Sequence, residues 1–131
     1  MSQTNHCMTA EQFECKMRAL YSRNKLNPRR DTDGAIIFRA LYAALALNGE
    51  AGEVAEKVKR VARGDFGTLQ DCVHDEEFNK RLQLELGDVL YCVCMLCDEF
   101  GYSLEHIMEL CIEKFESRAK RGTLMGEGDE R

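Results

Sequence analysis

Five acidic residues stand out for their spacing. The run LNGEAGEVAEKVKR carries Glu50, Glu53 and Glu56, and the run LELGDVLY carries Glu85 and Asp88. On helices, Glu50/Glu53 and Glu85/Asp88 are i,i+3 pairs, their members about 60° apart around the axis and one turn along. Val54 and Val61 neighbour Glu50 on the helical wheel, and Val89 and Leu96 neighbour Glu85. Both pairs therefore border apolar stripes and lean toward a bundle interior. Like charges at this spacing already cost a few tenths of a kcal/mol on an open helix. Two such pairs facing each other across a partly desolvated groove cost far more unless a cation compensates them. Mg²⁺ meets that need, because it takes carboxylate oxygens, keeps some waters and binds phosphate oxygens. Facing helices in bundles build metal sites from carboxylates in this way. Glycine stands beside each pair, at Gly52 and Gly87, whereas Glu56 turns toward the polar side and reads as a solvated glutamate.

Four helices are needed to position these groups, and the pattern of apolar residues supplies them. The first is expected from about Met8 to Arg23, opened by a capping box of Thr9 with Gln12. Asn24 to Asp33, with Pro28, reads as a loop. The second and longest helix runs from about Gly34 to Arg63, with Ile37, Leu41, Ala44, Leu45, Ala51, Val54, Val58 and Val61 at helical spacing and Gly64 as its stop. Gly64 to His74 has no sustained period and is expected to be a loop. Asp75, Glu76 and Glu77 favour the start of a third helix, which closes at Gly101. Ser103 caps a fourth, which reaches about Lys120. The expected fold is an all-α four-helix bundle in one domain over 1–131, with 1–7 and 122–131 as flexible tails.

The third helix is apolar almost all round from Val89 to Cys97. A helix without a polar face is buried on more than one side, so a subunit interface through it is expected, with a symmetric dimer as the minimum. That stretch is far shorter than the about 20 residues needed to span a bilayer. The start, MSQTNHCMTAEQ, has no basic segment followed by an apolar one, so no signal peptide is expected and a cytoplasmic location follows. A net charge of −5 without a basic tract argues against nucleic-acid binding. Seven cysteines without an export signal read as reduced thiols. Cys94 and Cys97 form a CxxC beside Cys92, but no second ligand pair matches them. Their apolar flanks make them small core residues.

GEAGEVAEKVKR followed by ELGDVLYCV resembles the MazG-like branch of the all-α nucleoside triphosphate pyrophosphohydrolases. The family signature, ExxE on one helix and ExxD on the next, is matched by Glu50/Glu53 and Glu85/Asp88. Lys114, Phe115 and Arg118 match a further K-F/L-x-x-R element on the following helix. The resemblance runs from about Leu41 onward. The chain departs from the pattern in a longer segment between Glu53 and Glu85, in Cys111 where relatives commonly have asparagine, and in Cys92 where they often have an aromatic.

The resemblance implies Mg²⁺-dependent hydrolysis of a (deoxy)nucleoside triphosphate to the monophosphate and pyrophosphate, with Mn²⁺ as a substitute ion. It implies metal binding by Glu50, Glu53, Glu85 and Asp88, and a water oriented or deprotonated by Glu53. Lys114 and Arg118, with Lys57 or Arg60, would hold the phosphates. The base would lie in an apolar pocket between helices, and the protein would be a homodimer or a dimer of dimers. Three other readings compete: a non-catalytic helical dimerisation module, a phosphoribosyl-ATP pyrophosphohydrolase, and a thiol sensor using Cys92, Cys94 and Cys97.

Overall fold

The capping patterns translate directly into helix ends. In the computed structural model, which describes residues 7–22 and 33–122, the Thr9 amide donates to Gln12 Oε1 and the Gln12 amide to Thr9 Oγ1, each at 3.1 Å. This capping box opens α1, Ala10–Ser22. The second helix, α2, spans Asp33–Ala62. It ends where Gly64 adopts φ +80°, with Gly64 N–H donating to Val61 O at 2.9 Å and Asp65 N–H to Arg60 O at 3.1 Å. That pair of bonds is a Schellman ending, which a side chain with a Cβ would strain.

Leu69–His74 forms a short helix, α3, where the sequence pattern suggests a loop. Thr68 is its N-cap, and Asp71 Oδ2 accepts from the Thr68 amide at 2.7 Å. Gly67 reaches φ +89° to bring the chain into that cap. Six residues are too few to show a hydrophobic period, so α3 owes its form to the cap and to the buried Cys72. Asn79 then fastens its end to the next helix, donating to Val73 O at 2.7 Å.

The central helix, α4, spans Glu76–Phe100. Asp75 caps it by accepting from the Phe78 amide at 2.8 Å. Gly101 closes it at φ +68°, with Tyr102 N–H donating to Cys97 O at 2.8 Å. The last helix, α5, spans Leu104–Lys120 behind the N-cap Ser103, whose Oγ accepts from the His106 amide at 3.4 Å. The described residues are thus all-helical, with the four expected long helices and α3 in addition. The expectation of flexible tails falls on residues outside those described, Cys7 and Gly122 apart, and so does the loop reading of residues 24–32.

Helices α1, α2 and α3 all pack on α4, and α1 also meets α5. The pairing of α2 with α4 is antiparallel and steps by four residues and then by sevens. Arg39 pairs with Glu99 at 2.7 Å, Ala43 packs on Met95, and Glu50 converges with Asp88. Lys57 and Arg81 then face one cleft. A seven-residue step keeps one seam facing the partner helix. Along that seam the lining changes from a buried apolar contact to acidic and then to basic residues.

Cys94, Cys97 and Leu104 form a second cluster, against which Phe13, Met17, Val93 and Ile107 pack. Cys72, Cys92, Cys94 and Cys97 are buried free thiols, in keeping with core packing. Burial pushes the Cys94 thiol up to about 11, so it stays protonated and serves as an apolar side chain. Much of the Val89–Cys97 stretch is therefore covered within one chain. Leu90 remains exposed within that stretch, and further exposed apolar residues are Leu84 and Leu86 on α4, Leu41 and Leu45 on α2, and Ile112 and Phe115 on α5. No helix among the described residues is long and apolar enough to cross a membrane.

Candidate metal centre

The seam between α2 and α4 carries the acidic residues because neither helix breaks there. Glu50 lies mid-way along α2, and Glu85 and Asp88 lie one turn apart on α4. One carboxylate oxygen from each falls within 4.8 Å of the other two. Glu50 and Glu85 are half-buried and Asp88 is exposed. At 4.8 Å, two unit charges repel by about 0.9 kcal/mol in water and about 3.5 kcal/mol at an effective dielectric of 20. The cluster consequently attracts cations. Lys57, two turns beyond Glu50, already places its ammonium 2.7 Å from Glu85 Oε1, with both side chains about one-fifth exposed.

The donor set fits a hard divalent ion. All three ligands are carboxylate oxygens, the chemistry that Mg²⁺ and Mn²⁺ take in preference to softer metals. Cysteine does not join the set. Cys92 lies near Glu50 and Asp88, but burial raises its thiol pKa and the two acidic charges raise it further. Cys97 is raised as well, by burial first. No cysteine belongs to a ligand grouping among the described residues, which counts against the sensor reading. Among the described residues, Glu50, Glu85 and Asp88 are the one grouping of His, Cys, Asp or Glu able to hold an ion.

Glu53 is exposed and stands outside this trio, one turn further along α2. The i,i+3 spacing leaves its Cβ about 5–6 Å from that of Glu50. Glu56 is solvated and ion-pairs with Lys59, whose hydrogen bond holds the Glu56 carboxyl below its ordinary range.

The basic residues divide into two groups. Lys57 and Arg60 line an open cleft of about 180 Å³ at the end of the seam, together with Phe66, Asp75, Glu77, Phe78 and Arg81. Arg60 bonds to Asp65 at 3.3 Å and lies 4.8 Å over the Phe66 ring. Phe66 in turn packs on Phe78 with ring centroids 5.2 Å apart. Lys114 and Arg118 do not line this cleft. They flank the Phe115 ring on α5, at 5.8 and 5.6 Å.

Phe66, Phe78 and Arg81 are not among the residues that the sequence pattern singles out. A signal for the segment exists: Thr68 and Asp71 follow the T-x-x-acid pattern of a capping box. What that pattern does not convey is that the loop folds Phe66 back onto α4.

Comparison with known proteins finds one relative and one domain family. The chain is 38% identical over 90 residues to the Gene 37 protein of Mycobacterium phage L5, an overlap that covers 69% of this chain and 75% of that protein. No solved structure matches it. The profile of the MazG nucleotide pyrophosphohydrolase domain matches residues 39–123, a stretch that takes in the acidic seam, the cleft and α5. By that match, the chain belongs to the MazG nucleotide pyrophosphohydrolase family.

Proposed function

We propose that this protein hydrolyses (deoxy)nucleoside triphosphates to the monophosphate and pyrophosphate, using Mg²⁺ held by Glu50, Glu53, Glu85 and Asp88. Mn²⁺ would substitute through the same oxygen donors. The observation that carries the proposal is the convergence of three carboxylates from two facing helices, beside lysine and arginine residues. When bound, the ion supplies Lewis-acid polarisation of a phosphoryl oxygen and lowers the pKa of a water. Glu50, Glu85 and Asp88 anchor it. Glu53, exposed at the edge of the trio, is free to orient the attacking water and accept its proton.

Lys57 exchanges partners in this scheme. Its ammonium lies 2.7 Å from Glu85 Oε1 and would be available to a substrate phosphate if Glu85 held a divalent ion. Arg60, on the next turn of α2, is held by Asp65 at 3.3 Å and lies over the Phe66 ring, so it is given no phosphate contact. Lys114 and Arg118 enter the proposal as phosphate contacts from α5.

The apolar side chains exposed on α2, α4 and α5 support a homo-oligomer, a dimer or a dimer of dimers. Control of dNTP pools or removal of damaged nucleotides in the cytoplasm would be its role. The test is Glu53→Gln, which should abolish pyrophosphate release from dNTPs in Mg²⁺ while leaving helix content and Tm near wild type. Near-normal turnover would remove Glu53 from the site.

A further inference from the structure

The cleft at the end of the seam is built differently from the acidic cluster beside it. The two share Lys57, which reaches Glu85 on one side and lines the cleft on the other. Along α2, Glu50 to Lys57 spans about 10 Å and Lys57 to Arg60 about 5 Å more. A nucleotide whose reacting phosphate sits at the carboxylates thus extends naturally into the cleft. It could do so with its terminal phosphates or with its base.

The lining distinguishes the two. Terminal phosphates need uncompensated cations, yet the arginines here are already matched: Arg81 bonds to Glu77 at 2.6 Å and Arg60 to Asp65 at 3.3 Å. Asp75 adds a further carboxylate to the wall. The distinctive groups are the Phe66 and Phe78 rings, tilted 53° to each other. The Phe66 face already receives one flat cationic group, the Arg60 guanidinium. The volume of about 180 Å³ is below the roughly 300–1,000 Å³ of sites that enclose a drug-sized ligand, and it suits a single ring system.

We propose that this cleft binds the nucleobase of the substrate, with Phe66 and Phe78 as its stacking wall. This rests on the nucleotide-hydrolysis reading. Phe66 is held in place by the Schellman turn at Gly64 and by the α3 cap at Thr68, so the 63–68 loop is a base-recognition element.

The test is direct binding of the α,β-methylene analogues of dATP, dCTP, dGTP and dTTP in Mg²⁺, with inorganic tripolyphosphate as the base-free probe. Phe66→Leu keeps an apolar anchor for the loop but removes the ring, and Phe66→Tyr restores it. Stacking worth about 1–3 kcal/mol per base corresponds to roughly 5- to 150-fold in affinity. Phe66→Leu should weaken the bound analogues by that factor, leave tripolyphosphate affinity unchanged, and be rescued by Phe66→Tyr. Equal weakening of tripolyphosphate, unchanged analogue affinity in Phe66→Leu, or no analogue binding to wild type would each overturn it. Analogue binding that depends on the ring, in a protein that does not turn over dNTPs, would support the cleft and refute the hydrolysis reading alone.

Discussion

Replacing Glu50 by glutamine should have opposite effects with and without metal. In the metal-free protein, Glu85 is neutralised by Lys57 at 2.7 Å, which leaves the repulsion between Glu50 and Asp88 uncompensated. Their oxygens lie within 4.8 Å, so that repulsion is about 0.9 kcal/mol at the dielectric of water and larger where the half-buried Glu50 is less screened. Glu50→Gln removes it while keeping the shape. A gain of about 1 kcal/mol corresponds to about 3–4 °C in Tm for a domain of this size. Mg²⁺ at about a hundredfold excess over its Kd should stabilise the wild type by about 2.7 kcal/mol, and the variant by much less because it lacks one ligand. The two melting curves should therefore exchange order when Mg²⁺ is added, as read by circular dichroism in EDTA and in saturating Mg²⁺. If Glu50 is only a solvated surface residue, both differences vanish. Equal Tm increments with Mg²⁺ in the two proteins would refute its place among the ligands.

Other perturbations probe the neighbouring groups. Lys57→Met leaves Glu85 without its partner, so the metal-free protein should lose up to about 1 kcal/mol and the Mg²⁺-induced gain in Tm should grow. Gly67→Ala puts a Cβ at φ +89° and 2.7 Å from Asp71 Oδ2; it should cost about 1–2 kcal/mol locally, read as faster amide exchange across Thr68–Asp71. The buried Cys94 thiol titrates near 11 instead of 9.0, so the folded state holds its proton more tightly than the unfolded chain. Its contribution is complete below pH 9.0 and is lost as pH rises toward about 11. Cys94→Val should accordingly flatten the fall in Tm between those pH values, and an unchanged slope would contradict this.

The acidic seam is legible in the sequence because helical geometry is local. Two i,i+3 pairs bordering apolar stripes can face each other only if their helices pack, and Glu50, Glu85 and Asp88 do converge. Helix ends are legible for a related reason: Thr9, Gly64, Gly101 and Ser103 each act within a few residues of their own position. What the sequence hides depends on distant partners. Nothing in the neighbourhood of Lys57 announces that it meets Glu85 across the seam, nor does the loop sequence reveal that Phe66 packs on Phe78. The short α3 is hidden because six residues carry no period, and its cap is the only local sign. The apolar run Val89–Cys97 reads as an excess of hydrophobic surface, yet α1, α2 and the start of α5 cover much of it within one chain.

The central claim is cleavage between the α- and β-phosphates at a divalent-metal site. Following dNTPs by ³¹P NMR with the purified protein tests it most directly, first in Mg²⁺ and then after chelation. The nucleoside monophosphate and pyrophosphate should appear as paired products in Mg²⁺, with no turnover once the ion is removed. Appearance of the diphosphate with inorganic phosphate, or turnover that survives chelation, would contradict it.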